Sequence, residues 1–417
     1  TIKVPISSYI KGMVSWIAMI LFVIYVSACI LLLPIRLSGY QWNHVFSRYV
    51  ASDHTKQLSM NSAIDFNDIV ADLKMYSLQH SQYLEEKLFS RWIHREMAKT
   101  LEYFSRQNNL KGIVICTGNG HFLLTLVALH ALQSIGNTMS IEVMFSTSTD
   151  LSASNQKLLT NQFPAVRLVD LSTIFNDSYL ELRGWEIKPF AVLASRFQHV
   201  LLIDSDVLFL EKPSVLFENE LYLRTGTLFF YDRLDLSPKA LRWIRSISMK
   251  SIGTIPHRTQ ESGVVLIDKG RTLMGLLSTC KLNEHEQRER VTYKHLHGDK
   301  DTWWLGFYLL DMAYSFIPSR TASIGHIHRH TVCGHILHLD QNHQPIWWNG
   351  GLFKNRYVNT RDILPIEVWL EEGTWTLAIY SCLINHRQKP RSFNQYQRHL
   401  IENYTQITKH VYNIAPG

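Results

Sequence analysis

Two aspartates with one serine between them, Asp204 and Asp206, follow the apolar segment "HVLLI". On an extended chain, residues two positions apart point to the same side, so we expect the two carboxylates to lie together. Two like charges repel unless a cation sits between them, and oxygen ligands of this kind bind hard divalent ions. We therefore predict a metal site whose remaining positions take a diphosphate. The alternative is a turn, which aspartate and serine also favour.

A second acidic pair, Asp299 and Asp301, occurs in "HGDKDTWW" and is followed by Trp303 and Trp304. A carboxylate beside an indole face suits a sugar, because the hydroxyls need acceptors while the C–H face of the sugar ring is apolar. The same segment also fits the N-terminus of a helix, where acidic residues are stabilising. The two interpretations are compatible, since the first turn of a helix can fix a catalytic group in place.

Lys188, in "GWEIKPF", lies one predicted helix before the aspartate segment. A lysine ammonium at that position would meet the diphosphate that we expect at the metal, as lysines do in other phosphate sites. The alternative is an ordinary exposed lysine on a helix surface.

These residues must be positioned by strands and helices of a regular order. The segment "GIVICTGNG" reads as a strand ending in glycines, and it is followed by the helical "HFLLTLVALHALQSIG" and a second strand, "SIEVMFST". Two further strands, "VRLVDL" and "HVLLID", flank another helical segment, so we predict a parallel α/β sheet with the aspartates at the end of a central strand. Gly118, Asn119 and Gly120 then form either a nucleotide-facing turn at the carboxyl end of a strand or an ordinary strand-to-helix turn.

Segment 13–33, "MVSWIAMILFVIYVSACILLL", carries no charge. As a helix rising about 1.5 Å per residue, it is long enough to cross a hydrocarbon core of about 30 Å. The alternative is a cleaved signal peptide, whose apolar region is usually shorter, about 7 to 15 residues. We expect a cytoplasmic stub at 1–12, a membrane anchor at 13–33, a stem at 34–109 and a lumenal catalytic domain at 110–417.

The net charge limits the classes of ligand that the chain is expected to bind, and the cysteines and sequons indicate the cellular compartment in which it works. The net charge of +7 favours anionic ligands, but the lysines and arginines are dispersed, so we expect no binding to nucleic acid. Outside the predicted anchor, four cysteines allow three disulfide pairings, and the sequence does not choose among them. These residues are Cys116, Cys280, Cys333 and Cys382. The alternative is that some of them are buried free thiols. Two sequons, at Asn176 and Asn403, fit a chain that faces the secretory lumen.

Four segments together resemble the fungal Golgi α-1,3-mannosyltransferases. They are "LRGWEIKPFAVLASRFQHVLLIDSDVLFL", "QESGVVLIDKGR", "HGDKDTWWLGF" and "VCGHILHLDQNHQPIWWNGGL", in the expected order and approximate spacing within 111–358. The resemblance implies an α/β fold of the GT-A type with a D-x-D motif, preceded by one N-terminal transmembrane helix. It further implies a type II Golgi membrane protein that uses GDP-mannose as donor and Mn²⁺ as cofactor.

The resemblance also assigns roles to single residues. Glu261 stands where related retaining transferases have the asparagine of an N-S-G segment, and it either accepts a hydrogen bond from a sugar hydroxyl or caps the chain. His338 matches the histidine that completes the manganese shell in those relatives, with His335 as the second choice. Gln344 stands where they have a phosphate-binding lysine, so we assign the phosphate contact elsewhere, with Lys188 as the candidate.

The predicted function is transfer of mannose from GDP-mannose to a terminal mannose of a glycoprotein glycan, with an α-1,3 link and retention of configuration. Alternatives are another linkage or donor sugar, a phosphoesterase with two metals about 3.5 to 4 Å apart, and a silent glycan-binding subunit of a Golgi transferase complex. The predicted catalytic residues are Asp301, Asp299 and Glu261; the predicted donor contacts are Lys188, Gly118, Asn119, Gly120 and Asp204; the predicted metal ligands are Asp204, Asp206 and His338.

Overall fold

The computed structural model describes residues 89–94, 101–105, 107–248, 254–329, 331–354, 362–377 and 381–413. All of them belong to one compact unit, 61–417. The predicted stub 1–12 and the predicted anchor 13–33 lie outside the described residues, as does most of the predicted stem 34–109. Among the helices that the structure describes, none combines the length and the hydropathy needed to cross a membrane.

The strands of the described part are labelled β1 to β14 in chain order. They are Lys111–Cys116, Ser140–Phe145, Arg167–Asp170, His199–Ile203, Val207–Phe209, Thr227–Asp235, Arg258–Asp268, Ala322–His328, Thr331–Leu339, Pro345–Asn349, Val368–Leu370, Thr374–Leu377, Ser381–Ile384 and Arg391–Ser392. Most of the long ones are rich in β-branched and aromatic residues, which pack well on a pleated surface.

The α-helices of six or more residues in the same part of the chain are labelled α1 to α8. They are Phe122–Ser134, Ala153–Gln162, Ile187–Ala194, Glu220–Thr225, Pro238–Ile247, Lys269–Leu282, Thr302–Leu309 and Gln395–Val411. Shorter α-helical segments are Ser90–Trp92, Leu101–Ser105, Asp177–Leu180, His285–Gln287 and Tyr293–His295. Several helices begin where side chains satisfy free backbone N–H groups: Ser152 caps α2, and Asn394 and Gln397 form a capping box on α8.

The first sheet has the strand order β3-β2-β1-β4-β7-β6. Strands β1 to β4 pair in parallel, which confirms the predicted parallel α/β order, whereas β7 and β6 are antiparallel additions that make the sheet mixed. Strand β4 lies in the centre, between β1 and β7. Its apolar sequence follows from burial on both faces, since strands covered by helices on both sides lack the alternation of a half-exposed strand.

The two faces of this sheet bury separate hydrophobic clusters. Along β1, Val114 belongs to one cluster while Ile113 and Ile115 belong to the other, as expected when successive side chains point to opposite faces. Helices α3, α6 and α7 cover the first face, and α1 and α8 pack together on the second. The polar motifs of the sequence therefore cannot lie on the faces and must emerge at the strand ends.

The second sheet has the path β12-β13-β9-β8-β11-β14, and β10 joins it by pairing with both β9 and β5. Because β5 directly follows the aspartates, this pairing brings β9 and β10 to the end of β4. Cys333 on β9 and Cys382 on β13 are cross-strand neighbours joined by a disulfide, while Cys116 and Cys280 are free thiols. The structure thus has one bridge and two free thiols, which is the free-thiol alternative and none of the three complete pairings.

Candidate active site

A cavity of about 410 Å³ lies where the end of β4 meets the second sheet. Its volume falls within the usual range of small-ligand pockets, about 300 to 1,000 Å³. The lining residues come from the helix α3, from β6, β7, β9, β10 and β13, and from the loops between them. They are Trp185, Lys188, Asp204, Arg233, Glu261, Ser262, His297, Asp299, Lys300, Gly334, His335, Ile336, Asn349, Gly350, Lys354 and Ser381. Four lysine or arginine side chains stand beside three carboxylates in this set, so the cavity has a small excess of positive charge, which favours an anion.

Lys188 is the buried centre of an ionic cluster. Its Nζ lies 2.7 Å from Oδ1 of Asp204 and 3.7 Å from Oδ1 of Asp299, and it donates to the hydroxyl of Ser262 over 3.3 Å. Burial lowers the pKa of Lys188, but the two carboxylates outweigh this effect and raise the pKa above its ordinary value. Burial also raises the pKa of Asp299, and the ammonium of Lys188 opposes that shift. The exposed-lysine alternative is therefore wrong.

The two aspartates of the D-x-D motif flank a turn and are not on an extended chain. Strand β4 ends at Ile203, and the backbone N–H of Val207 donates to the carbonyl of Asp204 over 3.1 Å. Asp204 lines the cavity, whereas Asp206 is buried and is not among the described lining residues. The backbone carbonyl of Asp206 accepts from Gly350 and Gly351, which ties the turn to the end of β10. The extended geometry expected from the sequence is wrong because the chain reverses here to start β5.

Glu261 and Lys300 form a second ionic group on the cavity wall. The Nζ of Lys300 lies 2.7 Å from Asp232 and 3.3 Å from Glu261. The other carboxylate oxygen of Glu261 accepts from the backbone N–H of Gly263 and from Asn349. Burial lowers the pKa of Lys300, but the two carboxylates raise it above its ordinary value. The sequence reasoning missed Lys300 and Asp232, although Lys300 stands inside the D-K-D segment and could have been weighed there.

The indoles after the second acidic pair face the protein interior. Trp303 and Trp304 are fully buried, so the prediction that they offer a face to a sugar is wrong. Their N–H groups instead donate to Asp299 and Asp301, each over 2.9 Å. Asp299 still lines the cavity, whereas Asp301 also accepts from the backbone of Gln260, and burial raises its pKa to about 6. Helix α7 begins at Thr302, as the helix-start alternative expects.

The two candidate histidines of β9 have different surroundings. His338 is buried, and its ring stacks on Trp347 with 3.9 Å between ring centroids; it is not among the described residues that line the cavity. His335 does line the cavity. One nitrogen of its ring bonds to the backbone of Phe353, while its buried Nε2 has no hydrogen-bond partner among the described residues. Burial lowers the pKa of His335 to about 4, so the neutral imidazole is the form present at neutral pH.

The positions of these side chains determine which of them could hold a divalent metal ion. Across the described residues, no three His, Cys, Asp or Glu side chains are gathered closely enough to hold a metal by themselves, so the predicted set of Asp204, Asp206 and His338 is not one group. Asp204 and His335, however, face the same cavity. A neutral imidazole held by a backbone carbonyl through its other nitrogen is the usual arrangement of a metal-binding histidine. A carboxylate and an imidazole suit Mn²⁺ when a bound diphosphate completes the shell.

The predicted nucleotide turn follows β1, the strand that pairs in parallel with β4, and its contact with a nucleotide stays a prediction. Asn119 donates its backbone N–H to Asp150 and accepts from Ser152 and Asn155, and none of Gly118, Asn119 and Gly120 is among the described lining residues.

The residue at the position of the relatives' phosphate-binding lysine also lies elsewhere. Gln344 is exposed in the turn between β9 and β10, where its backbone N–H donates to Asp340. A different lysine, Lys354, is exposed and lines the cavity. It follows Gly350 and Gly351, the two residues that bind the carbonyl of Asp206.

Comparison with known proteins gives one family. Residues 110–242 and 245–342 match the family model described as "Mannosyltransferase putative". The chain is 24% identical over 298 residues to "Probable alpha-1,3-mannosyltransferase MNT4" of Saccharomyces cerevisiae, covering 59% of this chain and 50% of that protein. It is 26% identical over 299 residues to "Alpha-1,3-mannosyltransferase MNT2" of the same yeast, covering 59% and 52%. The chain therefore spans about half the length of the relatives it matches.

Solved structures overlap less closely. The "WbbM bifunctional glycosytransferase apo structure" is 12% identical and has a TM-score of 0.36, with 51% of this chain and 39% of that chain covered. A TM-score at this level does not establish a shared fold.

Proposed function

Because the chain belongs to the mannosyltransferase family that its sequence matches, we propose that it transfers mannose from GDP-mannose to a terminal mannose of a glycan. The product is an α-1,3 link formed with retention of configuration. The observation that carries the proposal is the cavity at the end of β4, in which the ammonium of Lys188 lies 2.7 Å from Asp204 and 3.7 Å from Asp299. The names of the yeast relatives support the reaction and the linkage.

The basic lining of the cavity supports a diphosphate as part of the substrate. Lys188 is engaged by two carboxylates, so its main effect is to hold Asp204 and Asp299 in place. Lys354 is exposed and lines the same cavity. We assign the phosphate contact to Lys354, because an exposed ammonium in the cavity lining can pair with phosphate oxygens. In this proposal Lys354 makes the phosphate contact for which the relatives have a lysine at the position of Gln344.

Asp204 and His335 are the side chains that we assign to Mn²⁺. Their chemistry fits the ion. The Nε2 atoms of His335 and His338 both lack a described hydrogen-bond partner, so the choice of His335 rests on its place in the cavity lining. When bound, the ion would stabilise the charge that develops on the departing diphosphate. His335 thereby takes the place that the resemblance gave to His338.

Asp299 and Glu261 are the acceptors that we assign to sugar hydroxyls. Both are almost fully buried, yet both line the cavity. Glu261 is fixed by Lys300 and by the backbone of Gly263, so its carboxylate cannot turn away from a bound ring. Fixed acceptors of this kind orient a substrate before reaction, which lowers the entropic part of the barrier.

We further propose that the chain works in the Golgi lumen as a type II membrane protein, anchored by 13–33, alone or within a transferase complex. The disulfide between Cys333 and Cys382 supports an oxidising compartment, since such bonds are rare in the cytosol. The uncharged segment 13–33 supports the anchor.

A donor panel tests the proposal. The 417-residue chain is incubated with Mn²⁺, a mannose oligosaccharide and, in turn, GDP-mannose, UDP-glucose, UDP-galactose and UDP-N-acetylglucosamine. We expect a longer oligosaccharide with GDP-mannose alone, and none from the folded Asp204→Asn variant. Extension with a UDP-sugar but not with GDP-mannose would contradict the assigned donor.

A further inference from the structure

We propose that Trp185 is the platform on which the terminal mannose of the acceptor stacks. The inference rests on the proposed function and adds to it the acceptor side of the cavity. Trp185 lines the cavity and is 54% exposed, which is rare for the largest apolar side chain.

The position of Trp185 is tied to the ionic centre of the site. The backbone N–H of Lys188 donates to the carbonyl of Trp185 over 3.2 Å, so the two residues lie one turn apart at the start of α3. Residues three apart on a helical turn share one face. The same turn therefore directs both the ammonium and the indole into one cavity, as its lining confirms.

The turn that carries Trp185 is held on both sides. One carboxylate oxygen of Glu186 accepts from the backbone N–H groups of Arg183 and Gly184, over 2.6 and 2.7 Å. Arg288, itself buried, approaches the same oxygen to 3.8 Å. An indole on an anchored turn loses little further freedom when a ligand binds, which favours its use as a binding surface.

The residues before Asp299 cover one side of the indole. Gly298 has φ +61°, and a Cβ added there would lie 2.5 Å from Cε3 of Trp185, so both the backbone conformation and the contact require glycine. The ring of His297 lies 5.2 Å from the indole, centroid to centroid. The ring is thus supported from the segment that also supplies Asp299, and the exposed remainder belongs to the cavity wall.

The surrounding groups suit a pyranose. The C–H face of mannose is apolar and packs on an aromatic face, while its hydroxyls need acceptors such as Asp299 and Glu261 in the same cavity. This is the combination that the sequence suggested for Trp303 and Trp304, which are buried and cannot serve.

The acceptor is the sugar that we place here, rather than the donor. The donor must reach Asp204, which we assign to Mn²⁺ and which pairs with the buried Lys188. The acceptor sugar is attached to a large glycoprotein and has to approach from solvent. The half-exposed Trp185 is therefore positioned for the partner that approaches from solvent.

The test uses the 417-residue chain and three variants. Trp185→Ala removes the indole and Trp185→Phe keeps a smaller ring. Tyr396→Ala is the matched control, because Tyr396 is a 48% exposed aromatic residue on α8 away from the lining residues. The KM for a mannose acceptor and the KM for the donor are measured separately. Saturation-transfer NMR with methyl α-mannoside and no donor reports sugar binding alone.

We expect Trp185→Ala to raise the acceptor KM about tenfold, as loss of a central aromatic contact does elsewhere. The donor KM should be unchanged, Trp185→Phe should retain most of the affinity, and Tyr396→Ala should match the wild type. An unchanged acceptor KM overturns the inference. A raised donor KM with an unchanged acceptor KM also overturns it, because that result would mean that the indole stacks on the nucleotide. If no donor supports transfer, the proposed function fails, and the NMR experiment alone tests the platform. Mannoside signals that are present in the other proteins and lost only in Trp185→Ala support it. Any other pattern overturns it.

Discussion

Replacing Lys188 with methionine tests the ionic centre of the site. The substitution keeps the length of the side chain and removes its charge, leaving Asp204 and Asp299 without their common cation. At an effective dielectric constant of about 20, the Coulomb attraction is about 6 kcal/mol for the contact at 2.7 Å and about 4 kcal/mol for the contact at 3.7 Å. The desolvation of lysine offsets much of this, so we expect a net loss of about 3 to 5 kcal/mol in the free energy of unfolding at pH 7.5.

The loss should shrink as the pH falls. Burial raises the pKa of Asp299, and Lys188 is the main group that lowers it, so the pKa rises further in Lys188→Met. A carboxyl whose pKa is higher in the folded than in the unfolded state takes up its proton first in the folded state. Lowering the pH therefore stabilises the folded variant relative to the unfolded one.

Both effects are measured by urea unfolding, followed by circular dichroism from pH 7.5 to 5. The proteins compared are the wild type, Lys188→Met and a control at an exposed lysine, Lys212→Met. The control should match the wild type within about 0.5 kcal/mol, and Lys188→Met combined with Asp299→Asn should regain part of the loss. A Lys188→Met protein as stable as the wild type at pH 7.5, or a deficit that does not change with pH, would refute the reasoning.

Three further predictions concern the assigned metal ligand, the disulfide and the phosphate contact. His335→Ala should raise the Mn²⁺ concentration needed for half-maximal transfer by about tenfold or more. His338→Ala should lower the melting temperature and leave the Mn²⁺ titration unchanged. The reverse pattern would show that His338 is the ligand. Replacing both Cys333 and Cys382 with serine should reduce the free energy of unfolding by about 3 to 4 kcal/mol, and an unchanged urea midpoint would mean that the bond is not formed in solution. Lys354→Met should raise the donor KM about tenfold with little change in the acceptor KM, and equal effects on both would argue against a phosphate contact.

The parallel half of the fold was predictable because its pattern is local. The apolar run of β4 and the glycines after β1 are visible in single segments, and the order of strands and helices fixes a parallel sheet. The same locality placed Asp204 at the end of the central strand. The antiparallel β6 and β7, and the whole second sheet, depend on pairing between distant segments, which no local pattern encodes.

The detailed site was less predictable for the same physical reason. Which of His335 and His338 faces the cavity depends on the pairing of β9 with β10, whose register shifts between Pro345 and Trp347. The exposure of Trp185 and the burial of Trp303 depend on how α3 and α7 pack on the sheet.

The most direct measurement is an NMR spectrum of the disaccharide formed from GDP-mannose and methyl α-mannoside with Mn²⁺. The proposed reaction predicts one new α-mannosyl signal and a cross-peak that assigns the link to O3 of the acceptor, both absent with the folded Asp204→Asn variant. A β-anomer, a link to another hydroxyl, or free mannose as the sole product would contradict the proposal.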